Sequence, residues 1–268
     1  MESATTRVVP MKPFIVAALS HKGGSGKSTA IINLLVAAHL DGVLSVALDL
    51  DDGASASDWY AARTNVARLK SVVLEKMRAT TWDDENQQMQ SMLTQLKAEY
   101  AMPLVQPTHH AGFAAQLEVA ERQGVEMVFV DTKGGTDRAT MTALEAADVV
   151  LLPMLVSQMD LRQCVQTVRL CNGEGKPPLV LLGDFDAQGN ELEDMRAGLE
   201  AEGVAVVPGG FGHRKAYKRC LIPGLGVMEY EPRGAAAEEV AAVYKYLRRV
   251  LTGKRVSTSA RQHVSTSA

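Results

Sequence analysis

A doubly wound α/β fold, with a mostly parallel sheet and helices on both faces, is what this sequence predicts. Three observations carry that expectation. Short, continuously apolar, β-branched runs recur along the chain, stretches of helical periodicity separate them, and a glycine-rich turn joins the first run to the first helix. The 268 residues are 46% hydrophobic and 22% charged, an ordinary globular composition with ample length for a buried core.

The elements follow in order. "FIVAALS" (14–20) reads as the first strand, and 27–41 as the helix behind the glycine turn. "SVALDL" (45–50), "MVFVD" (127–131), "VVLLP" (149–153), "LVLLGD" (179–184) and "VAVVP" (204–208) continue the strand series and end it. Runs that are apolar along their whole length suit strands covered on both faces. Helical patterns span 138–147, 158–171, 189–202 and 235–251. Residues 58–125 break the alternation, with helix-like segments but no convincing central strand, and read as a helical elaboration. Within them "WDDENQQMQSMLTQLKAEY" (82–100) opens on acidic residues, as helix N-termini prefer, and sets Met89, Met92, Leu93 and Leu96 at helical spacing. That stripe is expected to be core. One domain over 14–252 is expected, between a short extension at 1–13 and a tail at 253–268. The tail is Ser/Thr-rich, repeats VSTSA and should be disordered.

Several function classes recede on composition. No stretch reaches the ~18 uninterrupted apolar residues of a membrane span, and "MESATTRVVPMKP" lacks the apolar centre of a signal peptide, so a cytoplasmic location is expected. Cys164, Cys171 and Cys220 form no CxxC pair and read as reduced, buried thiols. His109 and His110 have no metal-ligating residue at ligand spacing nearby and read as loop histidines. The net charge of −3 hides an asymmetry: 17 Lys+Arg against 27 Asp+Glu through residue 203, then 11 against 4 from 204 onward. A basic C-terminal section points to a polyanion as partner.

The chemistry concentrates in "SHKGGSGKST" (20–29). A glycine turn between strand and helix offers backbone N–H groups to phosphate oxygens at the positive end of the helix dipole. Gly23, Gly24, Ser25 and Gly26 supply that turn, and Lys27 is placed to reach the β- and γ-phosphates. The Ser28 hydroxyl is placed to ligate Mg²⁺, and Thr29 completes the nucleotide-binding stretch. The pattern GxxxxGK[ST] asks for glycine at 21, where His21 stands; what is present is KGGxGK[ST], led by Lys22.

"KGGSGKST" resembles the deviant Walker A motif of the ParA/MinD ATPases, a P-loop NTPase family. The resemblance implies that Lys22 is the family's signature lysine, reaching across an ATP-sandwich homodimer to stabilise charge on the other subunit's phosphates, as an arginine finger does. "VALDLDDGASASDW" is similar to the family's next strand and Asp-x-Asp turn. By that likeness Asp51, 24 residues after Lys27, orients the attacking water, and Asp49 helps organise Mg²⁺. Asp52 and Gly53 stand where the family usually has Pro-Gln, which leaves the rate of turnover open.

"MVFVDTKGG" resembles the Walker B strand and switch II, with Asp131 and Thr132 followed by Lys133, Gly134 and Gly135. Asp131 would hold Mg²⁺ through its water shell, and a glycine would bring the backbone near the γ-phosphate. Lys133 occupies a position that is often proline in the family. "ADVVLLPMLVSQMDL" and "RKAYKRCLIPGLGVMEYEPRGAAAEEV" extend the likeness to about residue 250.

Among relatives, a small ParA-type partition protein fits best. The terminal segment lacks the apolar face of a membrane-binding helix, and too few residues precede the first strand for a helix-turn-helix domain. ParA-like proteins bind DNA non-specifically when ATP-bound. Arg214, Lys215, Lys218 and Arg219, with Lys245, Arg248 and Arg249 on the last helix, are the residues expected to meet phosphates. Tyr217 and Tyr246 nearby are expected to pack rather than stack on bases. The resemblance further implies a ParB-like or cargo adaptor partner that stimulates hydrolysis, and nucleoid association in the ATP state. The rival reading is an accessory protein of a DNA-transfer complex, in which ATP binding recruits and hydrolysis is incidental.

Overall fold

The computed structural model describes residues 11–65, 68–70, 72, 85–186 and 190–265. Eight strands form one sheet: β1 (Phe14–Ala18), β2 (Ser45–Asp49), β3 (Leu104–Pro107), β4 (Met127–Asp131), β5 (Val149–Leu155), β6 (Leu179–Phe185), β7 (Ala205–Val206) and β8 (Phe211–Gly212). Their order is β3-β2-β4-β1-β5-β6-β7, with β8 also on β6, and the pairings are parallel. Connecting and covering them are α1 (Lys27–Leu40), α2 (Ser55–Arg63), α3 (Glu85–Tyr100), α4 (Phe113–Arg122) and α5 (Arg138–Ala146). The series continues with α6 (Gln158–Gly173), α7 (Glu191–Ala201), α8 (Lys215–Arg219), α9 (Val227–Tyr230) and α10 (Ala235–Ser265).

The uniformly apolar strands do line two cores. Along β1, Val16 and Ala18 point into one cluster while Ile15 and Ala17 point into the other, as period-two alternation requires. The first cluster packs β1, β2 and β4 against α1, α9 and α10; the second packs the opposite face against α4, α5, α6 and α7. Helix α1 is buried over Ala30–Ala38, because it lies between the sheet and α10. The order reverses direction at β1, which sits between β4 and β5, and the crevice beyond the carboxyl ends of these strands is where ligands bind in such sheets.

Two expectations need correction. Residues 58–125 do contribute a strand: β3 pairs with β2 from Leu104 to Pro107. It lies at the sheet edge with only Val105 fully buried, so it lacks the apolar run that marks the central strands. The strand series does not end at 208, because the two-residue β8 follows; Gly210 allows it, since a Cβ there would lie 2.4 Å from the Leu182 carbonyl oxygen. The last helix, α10, runs from Ala235 to Ser265.

The elaboration is tied down by Arg63. Its side chain is buried and donates to the carbonyls of Met102 and Gly224 and to both oxygens of Glu229, at 2.9 and 2.7 Å. Leu93 and Leu96 of the predicted stripe join Leu69 in a small core, with Met92 half-buried beside them. The Met89 side chain, the helix start predicted at 82–84 and residues 1–10 of the extension lie outside the described residues. All three cysteines are buried free thiols, and burial pushes Cys164 and Cys220 up to about 12.

Candidate nucleotide site

The loop between β1 and α1 needs its glycines. Gly24 and Gly26 have φ of 78° and 92°, a region only glycine enters without steric cost. Gly26 is also the residue before α1, and no side chain caps that helix, so its first N–H groups are left for a ligand. Lys27 is 6% exposed. Its ammonium donates to Ser20 Oγ at 2.8 Å, and that hydroxyl donates to the Lys22 carbonyl at 2.7 Å. Burial lowers the Lys27 pKa, while Asp131 and Asp51 oppose the shift.

Asp131 ends β4 with its side chain wholly buried, and neither carboxylate oxygen has a hydrogen-bond partner among the described residues. Burial pushes its pKa up to about 7, against the nearby Ser28 hydroxyl and Lys27 and reinforced by Asp49 and Asp51. An orphaned buried carboxylate beside a serine hydroxyl is a donor set that suits a hard divalent cation. Ser28 and Asp131 would hold Mg²⁺ here, and the ion would neutralise charge on the β- and γ-phosphate oxygens.

The segment after β4 lies directly on the phosphate loop. Thr132 Oγ1 donates to the Ala18 carbonyl at 2.7 Å, and the Gly135 N–H to that of Ser20 at 2.8 Å. A Cβ on Gly134 would stand 2.4 Å from the Lys22 carbonyl carbon and 2.7 Å from Gly23 N, so only glycine permits this approach. The turn after β4 thus rests on the glycine loop before α1.

Asp49 has less freedom than the motif implied. One oxygen accepts from the Asp51 N–H at 3.1 Å, and the other from Ser57 N and Oγ at 2.9 and 2.6 Å. Its carboxylate therefore builds the 49–57 loop. Asp51 in turn accepts from the Gly53 N–H at 2.8 Å, and a Cβ on Gly53 would approach Asp51 Oδ1 to 3.1 Å. A side chain at 53 would require the Asp51 carboxylate to shift by a few tenths of an ångström.

Lys22 has a partner that the sequence did not disclose. Its ammonium lies 2.6 Å from Asp160 Oδ1, in the first turn of α6. Burial raises the Asp160 pKa, but hydrogen bonds from Lys22 and the helix-capping Ser157 outweigh it and hold the group below its ordinary value. The Ser157-x-x-Asp160 spacing is a helix-start signal, yet nothing local ties it to a lysine far upstream.

Residues 14–168, more than half of the chain, match the family model described as ATPase MipZ. The chain belongs to the MipZ family of ATPases. It is 29% identical over 238 residues to the maintenance of carboxysome distribution protein A of Gloeobacter kilaueensis, covering 87% of this chain and 91% of that one. Its fold is that of the cell division ATPase MinD of Pyrococcus furiosus, with a TM-score of 0.62 at 16% identity, over 90% of this chain and all of the other. An ATP complex of a substituted McdA from Cyanothece is also similar, with a TM-score of 0.58 at 14% identity, over 90% and 97% of the two chains. The family shown is that of the MipZ ATPases, and the fold is shared with MinD.

In this MipZ-family chain the seven cations expected to meet DNA fall into two groups. Arg214, Lys215 and Lys218 line a cavity of about 300 Å³ beside the phosphate loop, together with Gly26, Thr29 and Phe211. Arg214 is paired with Glu239 at 3.0 Å, while Arg219 is exposed on the same short α8. Tyr217 is buried, donates to Glu239 at 2.9 Å and stacks on Phe211, so it packs as expected. Lys245, Arg248 and Arg249 line a different, open cleft between α10 and Asp41. Among the described residues no helix is long and apolar enough to cross a membrane, and no group of His, Cys, Asp and Glu is arranged as a protein-only metal cage.

Proposed function

We propose that this chain is an ATPase that closes into a homodimer around ATP, binds DNA without sequence preference and uses partner-stimulated hydrolysis to position plasmid, chromosome or protein cargo. The observation that carries the reading is the buried, unpartnered Asp131 facing Ser28 and Lys27 at the end of a glycine turn. Burying that charge without a protein partner is costly, and a metal-bound triphosphate removes the cost. In this reading Lys27 and the N–H groups of 23–29 hold the phosphates, and Asp51 orients water. Lys22 leaves Asp160 to reach the phosphates bound by the second subunit. The cavity beside Thr29 and Phe211 has the size and mixed lining for a base and ribose.

The family relationship supports the ATPase assignment, and the relative named for carboxysome distribution supports protein cargo as one target. The open cleft that gathers Lys245, Arg248 and Arg249 supports the polyanion contact. Arg214, Lys215 and Lys218 stand at the nucleotide cavity instead, so any contact they make with DNA depends on the nucleotide state. Asp51 turned back onto its own loop supports slow hydrolysis until a partner acts.

The test is retention of the Asp51→Ala protein on non-specific DNA, with ATP or ADP, across a salt series. ATP-dependent, salt-sensitive retention that is lost on adding Lys22→Ala is the expected result. Retention indifferent to nucleotide, or none, would overturn the DNA-positioning cycle and favour the DNA-transfer adaptor.

A further inference from the structure

Two departures from the family pattern meet in space. Lys133, in the turn after β4, lies with its ammonium 3.9 Å from Asp52 Oδ2, in the turn after β2. Neither residue has a role in the chemistry above.

The backbone around Lys133 is fixed on three sides. Thr132 is tied to the end of β1, Gly134 lies against Lys22 and Gly23, and the Lys133 carbonyl accepts from Thr140 Oγ1 at 3.2 Å. Its side chain is not fixed: it is 54% exposed, and its partner is 88% exposed. The peptide of Lys133 is thus anchored between Asp131 and the glycines that rest on the phosphate loop, while the ammonium is held by one long, solvated contact. Contacts of that kind are weak and readily exchanged. Asp52 adjoins Asp51, and the residues on either side of Lys133 touch Ala18, Lys22 and Gly23, so the pair lies beside the glycine loop.

We propose that Lys133 reads the terminal phosphate of a bound nucleoside triphosphate, exchanging Asp52 for it, and so sets the preference for triphosphate over diphosphate. This rests on the nucleotide-binding reading of the same site. A terminal phosphate offers more charge and more acceptor oxygens than one carboxylate, so the exchange favours the triphosphate. A diphosphate ends one group short, and Lys133 then stays with Asp52. Both switch turns thereby register which nucleotide is present: one gains a phosphate contact and the other loses its cation.

The test is titration of the purified chain, with Mg²⁺, by fluorescent ADP and by a fluorescent non-hydrolysable ATP analogue. For Lys133→Ala, triphosphate affinity should fall about tenfold or more while diphosphate affinity stays within about twofold. Lys133→Arg should recover most of the loss, and Asp52→Asn should tighten the triphosphate by about two- to threefold by removing the competitor. In steady-state hydrolysis Lys133→Ala should raise KM for ATP more than it lowers kcat, a split that a general structural defect would not produce. Equal weakening of both nucleotides, or no change in their ratio, would overturn the role of Lys133 while leaving nucleotide binding intact. Failure of the unsubstituted chain to bind either nucleotide would overturn the nucleotide site and this proposal together.

Discussion

Charge is handled in opposite ways at the carboxyl ends of the central strands and on the C-terminal section. At the strand ends Lys27, Asp49 and Asp131 are 6%, 3% and 0% exposed. On the C-terminal section Lys215, Lys218, Arg219, Lys245 and Arg249 are all exposed. A solvated cation costs almost nothing to keep, so its presence says little about function. A buried charge costs several kcal/mol unless something compensates it, so its presence demands a reason. Arg63 sharpens the point. It is as buried as Asp131, but it meets two carbonyls and a carboxylate at close range. Neither Asp131 oxygen has a partner in full hydrogen-bond geometry among the described residues, and the donors near it are the Ser28 hydroxyl and Lys27. A satisfied buried charge reads as architecture, and an unsatisfied one reads as a binding site.

That contrast can be broken experimentally, beginning with the largest effect. Arg63→Ala leaves two carbonyls without this donor and Glu229 with the Gly226 N–H as its remaining partner among the described residues, and should destabilise the fold by about 3–5 kcal/mol in urea unfolding. Folded protein that remains should still bind nucleotide. A loss below about 1 kcal/mol would show that the pair is not the anchor its burial implies. Lys27→Ala should do the reverse, lowering nucleotide affinity by about a hundredfold in calorimetric titration, since a charged donor to phosphate is removed. Its nucleotide-free stability should change little or rise, because a buried ammonium has gone.

Asp131→Asn comes next. The folded pKa of about 7 lies above the ordinary 3.8, so the native state holds a proton that the unfolded chain releases. The stability this contributes is fully present below about pH 4 and is lost as pH rises to about 7. The asparagine variant should therefore melt several degrees higher than the unsubstituted, nucleotide-free chain at pH 8, with the gap closing toward pH 4. Equal melting curves at both pH values would remove the argument from an orphaned charge. The smallest effect belongs to the exposed face. Lys245→Ala should weaken ATP-dependent DNA retention uniformly across sequences and reduce its logarithmic salt slope by about one, the share of a single phosphate contact. An unchanged slope would mark that lysine as a solvated surface group.

Much of the fold was legible because its signals are local. The five central strands appear within a residue or two of their apolar runs, and α1, α5, α6 and α7 begin close to where periodicity places them. What escaped notice had weak local signals. β3 is an edge strand with one fully buried residue, and β8 has two residues held in place by contact with β6. The site divides in the same way. Gly24, Gly26, Lys27 and Ser28 stood out as candidates because they are contiguous in a glycine turn between strand and helix, and Asp131 because it ends an apolar strand. Asp160, Glu229 and the apolar wall around Phe211 were missed, since each acts on residues far away in the chain.

By itself the sequence determined that the chain is a parallel α/β fold with a glycine-rich turn between its first strand and first helix at residues 20–29, because strand burial, helix periodicity and loop conformation depend on neighbours along the chain. Only the tertiary structure decided that Lys22 pairs with Asp160, that Lys133 meets Asp52, and that one basic run divides between a cavity and an open cleft. Those pairings depend on sheet order, which sets β2 and β4 side by side and β5 next to β1, and so carries the turns that follow them to a common edge.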